Sequence, residues 1–373
     1  MTVDVPFEIF CVCPPGLEAS LIQELTSLGF ADPEPTAGGV TFKGSWGDVM
    51  RANLWLRGAS RVSVRVAEFR APHLAQLDKR ARRVEWGAFL RSDVPVKVEA
   101  TCRRSRIYHA KAAIQRISTA IASATGAPVV KDDDALRVSA RIEDDLCTIS
   151  LDTSGPPLHR RGIKQAVGKA PLRETMAAAF LRQCGFDGAE PVADPMCGSG
   201  TFPIEAAEIA QGLAPGRQRT FDFERLAGFD PELWAATRSE AHRFSAETWR
   251  GFGADRDDGA VAMARANAER AGVADQIVFR RQAISAFEPP DGPPGLVMVN
   301  PPYGARIGNR KLLFALYGSL GAVLRDRFSG WRVGLVTSDP GLAKATQLPM
   351  LPSVPPVAHG GLKIGLYRTD RLR

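Results

Sequence analysis

Three short segments in the second half of the chain combine residue types and spacing that could do chemistry. The one that points to a reaction is Val297-Met298-Val299-Asn300-Pro301-Pro302-Tyr303-Gly304. An apolar run leads straight into an amide, two prolines and an aromatic, and Pro301 and Pro302 make that loop stiff. The exocyclic amine of a nucleobase is a poor nucleophile, because its lone pair is delocalised into the ring. The Asn300 side-chain oxygen and the Pro301 carbonyl can accept both N–H bonds of such an amine and leave its lone pair aimed at an electrophile such as a methyl donor. Tyr303 can stack on the base to hold it. Acceleration would then come from positioning and desolvation. The structural alternative is a proline-rich turn.

The second segment, Asp194-Pro195-Met196-Cys197-Gly198-Ser199-Gly200-Thr201, reads as a strand end, a sharp two-glycine turn and a helix start. Such a turn lets backbone approach a ligand, and the helix N-terminus offers unpaired N–H groups. No Gly-Lys-[Ser/Thr] follows, so it is not a P-loop, and the third glycine of the dinucleotide fingerprint is missing. A tight turn with no ligand is the alternative. The third segment, Phe252-Gly253-Ala254-Asp255-Arg256-Asp257, ends the next strand. A carboxylate there is placed to accept both hydroxyls of a ribose, or else Asp255 or Asp257 caps the following helix. Cys197, beside the glycines, reads as a small filler.

The elements that must position these loops alternate in type. After Ser154-Gly155-Pro156-Pro157, the best linker in the chain, short apolar strands are expected at 191–194, 251–254, 276–279, 296–299 and 331–336, mostly separated by helices. That alternation predicts a parallel, doubly wound sheet, with residues 352–367 as an edge hairpin. Before the linker, strands at 7–13, 38–44 and 61–69 interleave with helices at 17–28 and 46–56 in a small α+β unit. A second small unit follows, with strands at 95–102, 136–142 and 146–151 and a helix from 109 to about 123 that buries Ile114, Ile117 and Ile121. The Arg- and aromatic-rich stretch 212–250 reads equally as a substrate-facing insertion or a surface excursion.

The 373 residues are too many for one ordinary domain, and 45% hydrophobic with 24% charged residues suits a soluble globular chain. No apolar run approaches a bilayer span, and the N-terminus lacks the pattern of a secretory signal. Cys11, Cys13, Cys102, Cys147, Cys184 and Cys197 form no zinc-type spacing, so no metal is expected, and their scatter fits a reducing cytoplasm. The formal charge of +7 permits a polyanionic partner. Its clusters are more telling, at Lys79-Arg80-x-Arg82-Arg83, at Arg103-Arg104-x-Arg106 with Lys111, and at Arg160-Arg161.

Together these loops resemble the THUMP-domain RNA methyltransferases, specifically the bacterial large-subunit rRNA guanine-N2 methyltransferases, over nearly the whole chain. The segments that carry the resemblance are Asp194 to Thr201 with Ile204-Glu205-Ala206-Ala207, then Leu158-His159-Arg160-Arg161-Gly162, Pro171-Leu172-Arg173-Glu174-Thr175, and Asn300-Pro301-Pro302-Tyr303-Gly304-x-Arg306. The resemblance implies an α/β fold: a Rossmann-like class I methyltransferase domain, a doubly wound sheet, at 154–373. It is preceded by α+β modules, a ferredoxin-like domain at 1–65 and a THUMP RNA-binding domain at 66–153, which can equally be counted from about residue 46. It implies S-adenosyl-L-methionine as cofactor, touched by Arg173, Glu174, Thr175, Asp194, Pro195, Met196, Cys197, Gly198, Ser199, Gly200, Thr201, Asp255, Arg256 and Asn300. Catalysis falls to Asn300, Pro301, Pro302 and Tyr303, and RNA contact to Arg103, Arg104, Arg106, Lys111, Arg160, Arg161 and Arg306. Two departures stand out. Gln282-Ala283-Ile284-Ser285 lacks the acidic residue often found near the adenine, and the second methyltransferase domain of some relatives is not present, so one modification is expected. The substrate expected is a guanine of 23S rRNA. The same chemistry on tRNA, or on adenine N6, remains open, since the acceptor loop suits any exocyclic amine.

Overall fold

The computed structural model describes residues 6–163, 172–242, 248–303, 310–352 and 354–373. The chain divides into two compact units, one of Met1–Cys13, Ile22–Leu158 and Arg219–Glu240, the other of Pro14–Leu21, His159–Gln218 and Ala241–Arg373. In chain order the first elements are β1 (Phe7–Val12), α1 (Glu18–Ser27), β2 (Glu34–Thr36), β3 (Gly39–Gly44), α2 (Trp46–Trp55), β4 (Arg61–Arg70), α3 (Leu74–Ala81), β5 (Val96–Arg103), α4 (Ala110–Thr125), β6 (Leu136–Glu143) and β7 (Leu146–Asp152). There follow α5 (Glu174–Gln183), β8 (Val192–Asp194), α6 (Thr201–Ala210), α7 (Pro231–Ser239), β9 (Gly251–Asp255), α8 (Asp258–Ala271), β10 (Ile277–Arg281), β11 (Leu296–Val299), α9 (Arg310–Arg327), β12 (Arg332–Thr337), α10 (Pro340–Ala345), β13 (Val357–His359) and β14 (Leu362–Arg368).

The strands of the two expected small units join in one seven-stranded sheet, in the order β2-β3-β1-β4-β7-β6-β5. The join is β4, whose ten residues pair antiparallel with β1 through Arg61–Arg65 and with β7 from Ser63 to Arg70. A bulge between Arg65 and Ala67 lets one strand serve both neighbours. β5 and β6 run parallel, which requires a crossover, and α4 supplies it. α4 buries Ala113, Ile117, Ala120 and Ile121, while Ile114 is only half-buried.

The insertion also resolves here. Residues 219–240 cluster with the first unit, although they fall within the 154–373 span expected from sequence. Phe223 and Trp234 meet edge-on at 5.0 Å, and Phe221 stacks on Phe223 at 5.3 Å. Asp230 caps α7 by accepting from the Glu232 and Leu233 N–H groups, and α7 lies against α2. The expected linker is held firmly rather than loose. Ser154 is buried and its hydroxyl donates to Asn53 Oδ1 at 2.6 Å. The Arg219 guanidinium donates to the carbonyls of Ser154, Pro156 and Pro157.

The second unit carries a seven-stranded sheet ordered β10-β9-β8-β11-β12-β14-β13. Its first five strands pair in parallel. β14 runs antiparallel to β12 and to β13, so the expected edge hairpin is present with its second strand inserted inward. The β11 residues are all buried, as a central parallel strand requires. Val297 and Val299 meet Tyr317, Leu320 and Leu324 of α9 in one core cluster. Strand order reverses between β8 and β11, and the crevice at the carboxyl ends of two such strands is where ligands bind in open α/β sheets.

Candidate active site

All three sequence segments reach that crevice. β8 ends at Asp194, which pairs with Gly253 of β9, while Ala193 pairs with Val297 of β11. Asp194, Asp255 and Asn300 therefore leave three adjacent strands at one edge. No step in the amino-acid order brings them together; the doubly wound connection does.

The glycine loop is shaped from below. Asp194 is buried and its Oδ1 accepts the Met196 N–H at 3.0 Å. Burial pushes the Asp194 carboxyl well above the usual carboxylate range, and the nearby Asp255 charge adds to the rise. The Cys197 N–H donates to the Ala254 carbonyl at 2.8 Å, tying the loop to β9. Gly198 and Gly200 have φ of +53° and +85°, which explains their type. A Cβ at Gly200 would crowd Ala264 and Ile204 at 3.1 Å, whereas one at Gly198 would meet nothing within 4 Å. The space over Gly198 is open, as close approach of a ligand requires. Pro195, Cys197 and Ser199 are buried beneath the loop, and Thr201 opens α6. Burial and the two carboxylates push the Cys197 thiol well up. It is a poor thiolate, in keeping with a filler role.

Asp255 and Asp257 divide the two roles that the sequence left open. Asp257 caps α8, its side chain accepting from the Gly259 and Ala260 N–H groups. Asp255 accepts instead from the Gly198 N–H at 3.0 Å and the Asp257 N–H at 3.0 Å. It is half-buried at the strand tip, and both oxygens keep a further lone pair for a ligand hydroxyl. Arg256 is exposed beside it.

Asn300 follows β11 directly and is half-buried, with its Oδ1 shielded from solvent and without a hydrogen-bond partner among the described residues. An orphaned buried acceptor costs free energy, on the order of 1–3 kcal/mol, and native structures keep few. Its place at the crevice makes it an acceptor held ready for a ligand N–H. Pro301 is buried, and Tyr303 is half-buried against the β11–α9 core cluster. Gly304 and Arg306 lie outside the described residues.

Two positioning residues have no sequence motif. Tyr317, wholly buried on α9, donates its hydroxyl to the Pro302 carbonyl at 3.3 Å and so ties down the loop after Asn300. Asn267, wholly buried on α8, donates to the Ser199 carbonyl at 3.0 Å. The only sequence signal either carried is a polar group at an apolar helix position.

The leading segment is mixed in exposure. Arg173 is exposed as the N-cap of α5, Glu174 is half-buried and Thr175 is buried. Arg160 is exposed. Arg161, expected to contact RNA, is a correction: it is 4% exposed and faces Glu205, itself 2% exposed, at 3.3 Å. A guanidinium in a buried ion pair cannot reach a phosphate backbone. Among the others in that expected set, Arg103, Arg104, Arg106 and Lys111 are all exposed on the first unit. Among the described residues no group of His, Cys, Asp or Glu could hold a metal, and no helix is long and apolar enough to cross a membrane.

Comparison with known proteins matches these features. Residues 161–355 match a family described as RMKL-like, methyltransferase domain; residues 8–63 match the RlmL ferredoxin-like domain and 72–152 the THUMP domain. The ribosomal RNA large subunit methyltransferase K/L of Vibrio cholerae is 37% identical over 339 residues, covering 87% of this chain and 48% of the relative. The chain thus spans about half the length of the curated relatives it matches. Among solved structures, SMU.472, provisionally described as a methyltransferase and complexed with SAH, superposes with a TM-score of 0.90 at 28% identity over 100% of both chains. A Listeria monocytogenes protein described as a predicted N6-adenine-specific DNA methylase gives 0.86 at 30% identity, covering 97% of this chain and 96% of that one. With a glycine loop, a strand-tip carboxylate and an Asn-Pro-Pro-Tyr loop brought to one crevice, the chain is matched over more than half its length by that family model and belongs to the RMKL-like methyltransferase family.

Proposed function

We propose that this chain is an S-adenosylmethionine-dependent RNA methyltransferase whose acceptor is the exocyclic N2 amine of a guanine, in large-subunit ribosomal RNA. The observation that carries this reading is the buried, unpartnered Asn300 Oδ1 at the carboxyl end of β11. The relatives whose printed names specify ribosomal RNA support the substrate class, and the SAH-bound neighbour supports the cofactor. Residues 1–65, 66–153 and 154–373 are assigned as ferredoxin-like, THUMP and methyltransferase parts, with 219–240 lent to the first unit.

When bound, the cofactor supplies an electrophilic methyl group on a sulfonium. The loop from Asp194 to Thr201 and the Asp255 carboxylate would hold its adenosine and methionine parts, with Arg173, Glu174 and Thr175 at the methionine end and Arg256 beside Asp255 at the ribose. Asn300 Oδ1 and the Pro301 carbonyl accept the two amine N–H bonds, and Tyr303 stacks on the base. Tyr317 fixes the loop through Pro302, so little reorganisation remains for the reaction itself. The surplus amine proton leaves to solvent.

Asp255→Ala should weaken S-adenosylmethionine binding by about 1–3 kcal/mol, the range for a lost hydrogen bond to a charged group. Calorimetry on the full chain reads this, because a 154–373 fragment would strip residues 219–240 from the unit that holds them. Asp257→Ala serves as the control, expected to cost helix-cap stability and leave affinity intact. Equal losses of affinity in both variants would remove the special role of Asp255.

The product identifies the acceptor. Undermodified rRNA treated with protein and cofactor, digested and analysed by mass spectrometry, should contain new N2-methylguanosine. N6-methyladenosine in its place would keep the chemistry and overturn the base, a reading that the Listeria neighbour's description favours. Methylation confined to tRNA would overturn the rRNA assignment.

A further inference from the structure

The turn from β5 into α4 carries the most exposed large apolar side chain among the described residues. Tyr108 is 73% exposed, and its ring centroid lies 4.1 Å from that of His109. A single exposed aromatic means little by itself. This one stands on a turn with unusual bracing. Arg104, Asp144 and Asp145 all have positive φ, at 45°, 51° and 63°, conformations that non-glycine residues adopt at a cost of order 1–3 kcal/mol each. The tip of the β6–β7 hairpin holds the turn through its backbone. The Arg106 N–H donates to Asp145 Oδ1 at 2.8 Å, and the Asp145 N–H donates to Ser105 Oγ at 3.1 Å. Ser105 Oγ in turn donates to the Arg103 carbonyl at 2.7 Å. Ile107 is buried as the anchor, so the next side chain must point out. The His109 side chain makes no capping bond to α4 and stays beside the tyrosine.

The charged residues of this segment are not equivalent. Arg104 is spent on Glu143 at 2.8 Å and Asp144 at 3.1 Å, and Arg106 faces Asp145 at 3.8 Å. Arg103 and Lys111 are exposed on either side of Tyr108 in sequence. We propose that Tyr108, backed by His109, is a stacking platform for an unpaired nucleotide of single-stranded RNA, with Arg103 and Lys111 on the flanking phosphates. A ring standing off the surface can take a splayed base, whereas the bases of a duplex are already stacked and shielded. The cations make the occupant a polyanion and the aromatic makes it one with free π-faces. This inference rests on RNA being the substrate.

The test uses the full chain and a short single-stranded RNA carrying one 2-aminopurine. Stacking on Tyr108 should quench the probe on binding. Tyr108→Ala should weaken binding by about tenfold and abolish the quench, while Tyr108→Trp retains both. S-adenosylmethionine affinity should be unchanged in each variant, and binding of the same sequence as a duplex should not depend on Tyr108. An alanine variant that binds and quenches like the wild type, or that loses duplex binding equally, overturns the platform. A wild type that quenches the probe yet methylates no RNA would leave the platform standing and sink the catalytic reading; RNA methylation with a silent Tyr108→Ala would do the reverse.

Discussion

Replacing Asn300 with alanine should slow methyl transfer by on the order of a hundredfold or more, the scale on which one preorganised hydrogen-bonding group acts in a transition state. The effect should fall on the chemical step. Asn300 is assigned to the acceptor amine, so single-turnover transfer at saturating cofactor and RNA should fall while cofactor affinity holds within a few fold. Folding gives an independent reading. Because the buried Asn300 Oδ1 has no partner among the described residues, deleting it removes an unsatisfied acceptor, and the variant should be no less stable than the wild type. A residue kept for the fold would show the opposite pattern, with lost stability and a nearly intact rate. A single-turnover rate within threefold or so of wild type would end the assignment of Asn300 as the amine acceptor.

Arg161→Ala should cost about 3–5 kcal/mol of stability, the range for removing one partner from a buried ion pair. Its partner Glu205 sits on α6, directly after the glycine loop, and both side chains are nearly inaccessible. Truncation leaves the Glu205 carboxylate buried without that guanidinium, which costs more than the pair contributes. Replacing both residues together, as Arg161→Met with Glu205→Leu, should recover much of the loss, since apolar groups of similar volume can stand in for a buried pair. Denaturant unfolding of the three variants separates these outcomes. Had Arg161 been an RNA contact, the alanine variant would unfold normally and show a weaker salt dependence of RNA binding instead. That result would restore the role read from the basic cluster Arg160-Arg161.

Arg161 shows what kind of information local sequence lacks. An arginine beside another arginine reads as a polyanion contact, and nothing nearby in the chain reveals that a glutamate 44 residues later will neutralise it. The partners of Arg104 on the far hairpin tip are equally invisible in the local sequence. The stretch 219–240 could not be placed for a related reason. Aromatic residues declare that they need burial but not against which surface, and Phe223 and Trp234 bury one another within the first unit, whereas the chain segments that flank 219–240 belong to the second. The two positioning residues, Tyr317 and Asn267, are likewise invisible until α9 and α8 pack under the loops they hold.

What the amino-acid order determined by itself was local. Alternation and helical spacing located the strands of both sheets within a residue or two, because side-chain direction repeats every two residues in a strand and about every 3.6 in a helix. Left unseen were two short elements, β2 and α3, although α3 turns Leu77 and Ala81 to one buried side. The three loops were legible because glycine, proline and a strand-end carboxylate act through their own backbone geometry. Tertiary structure alone decided which elements became neighbours: that β4 joins two expected modules into one sheet, that Asp257 caps while Asp255 faces the crevice, and which cations face solvent. Each of those outcomes depends on a partner distant in the chain, and a residue's type is the same whether that partner is present or not.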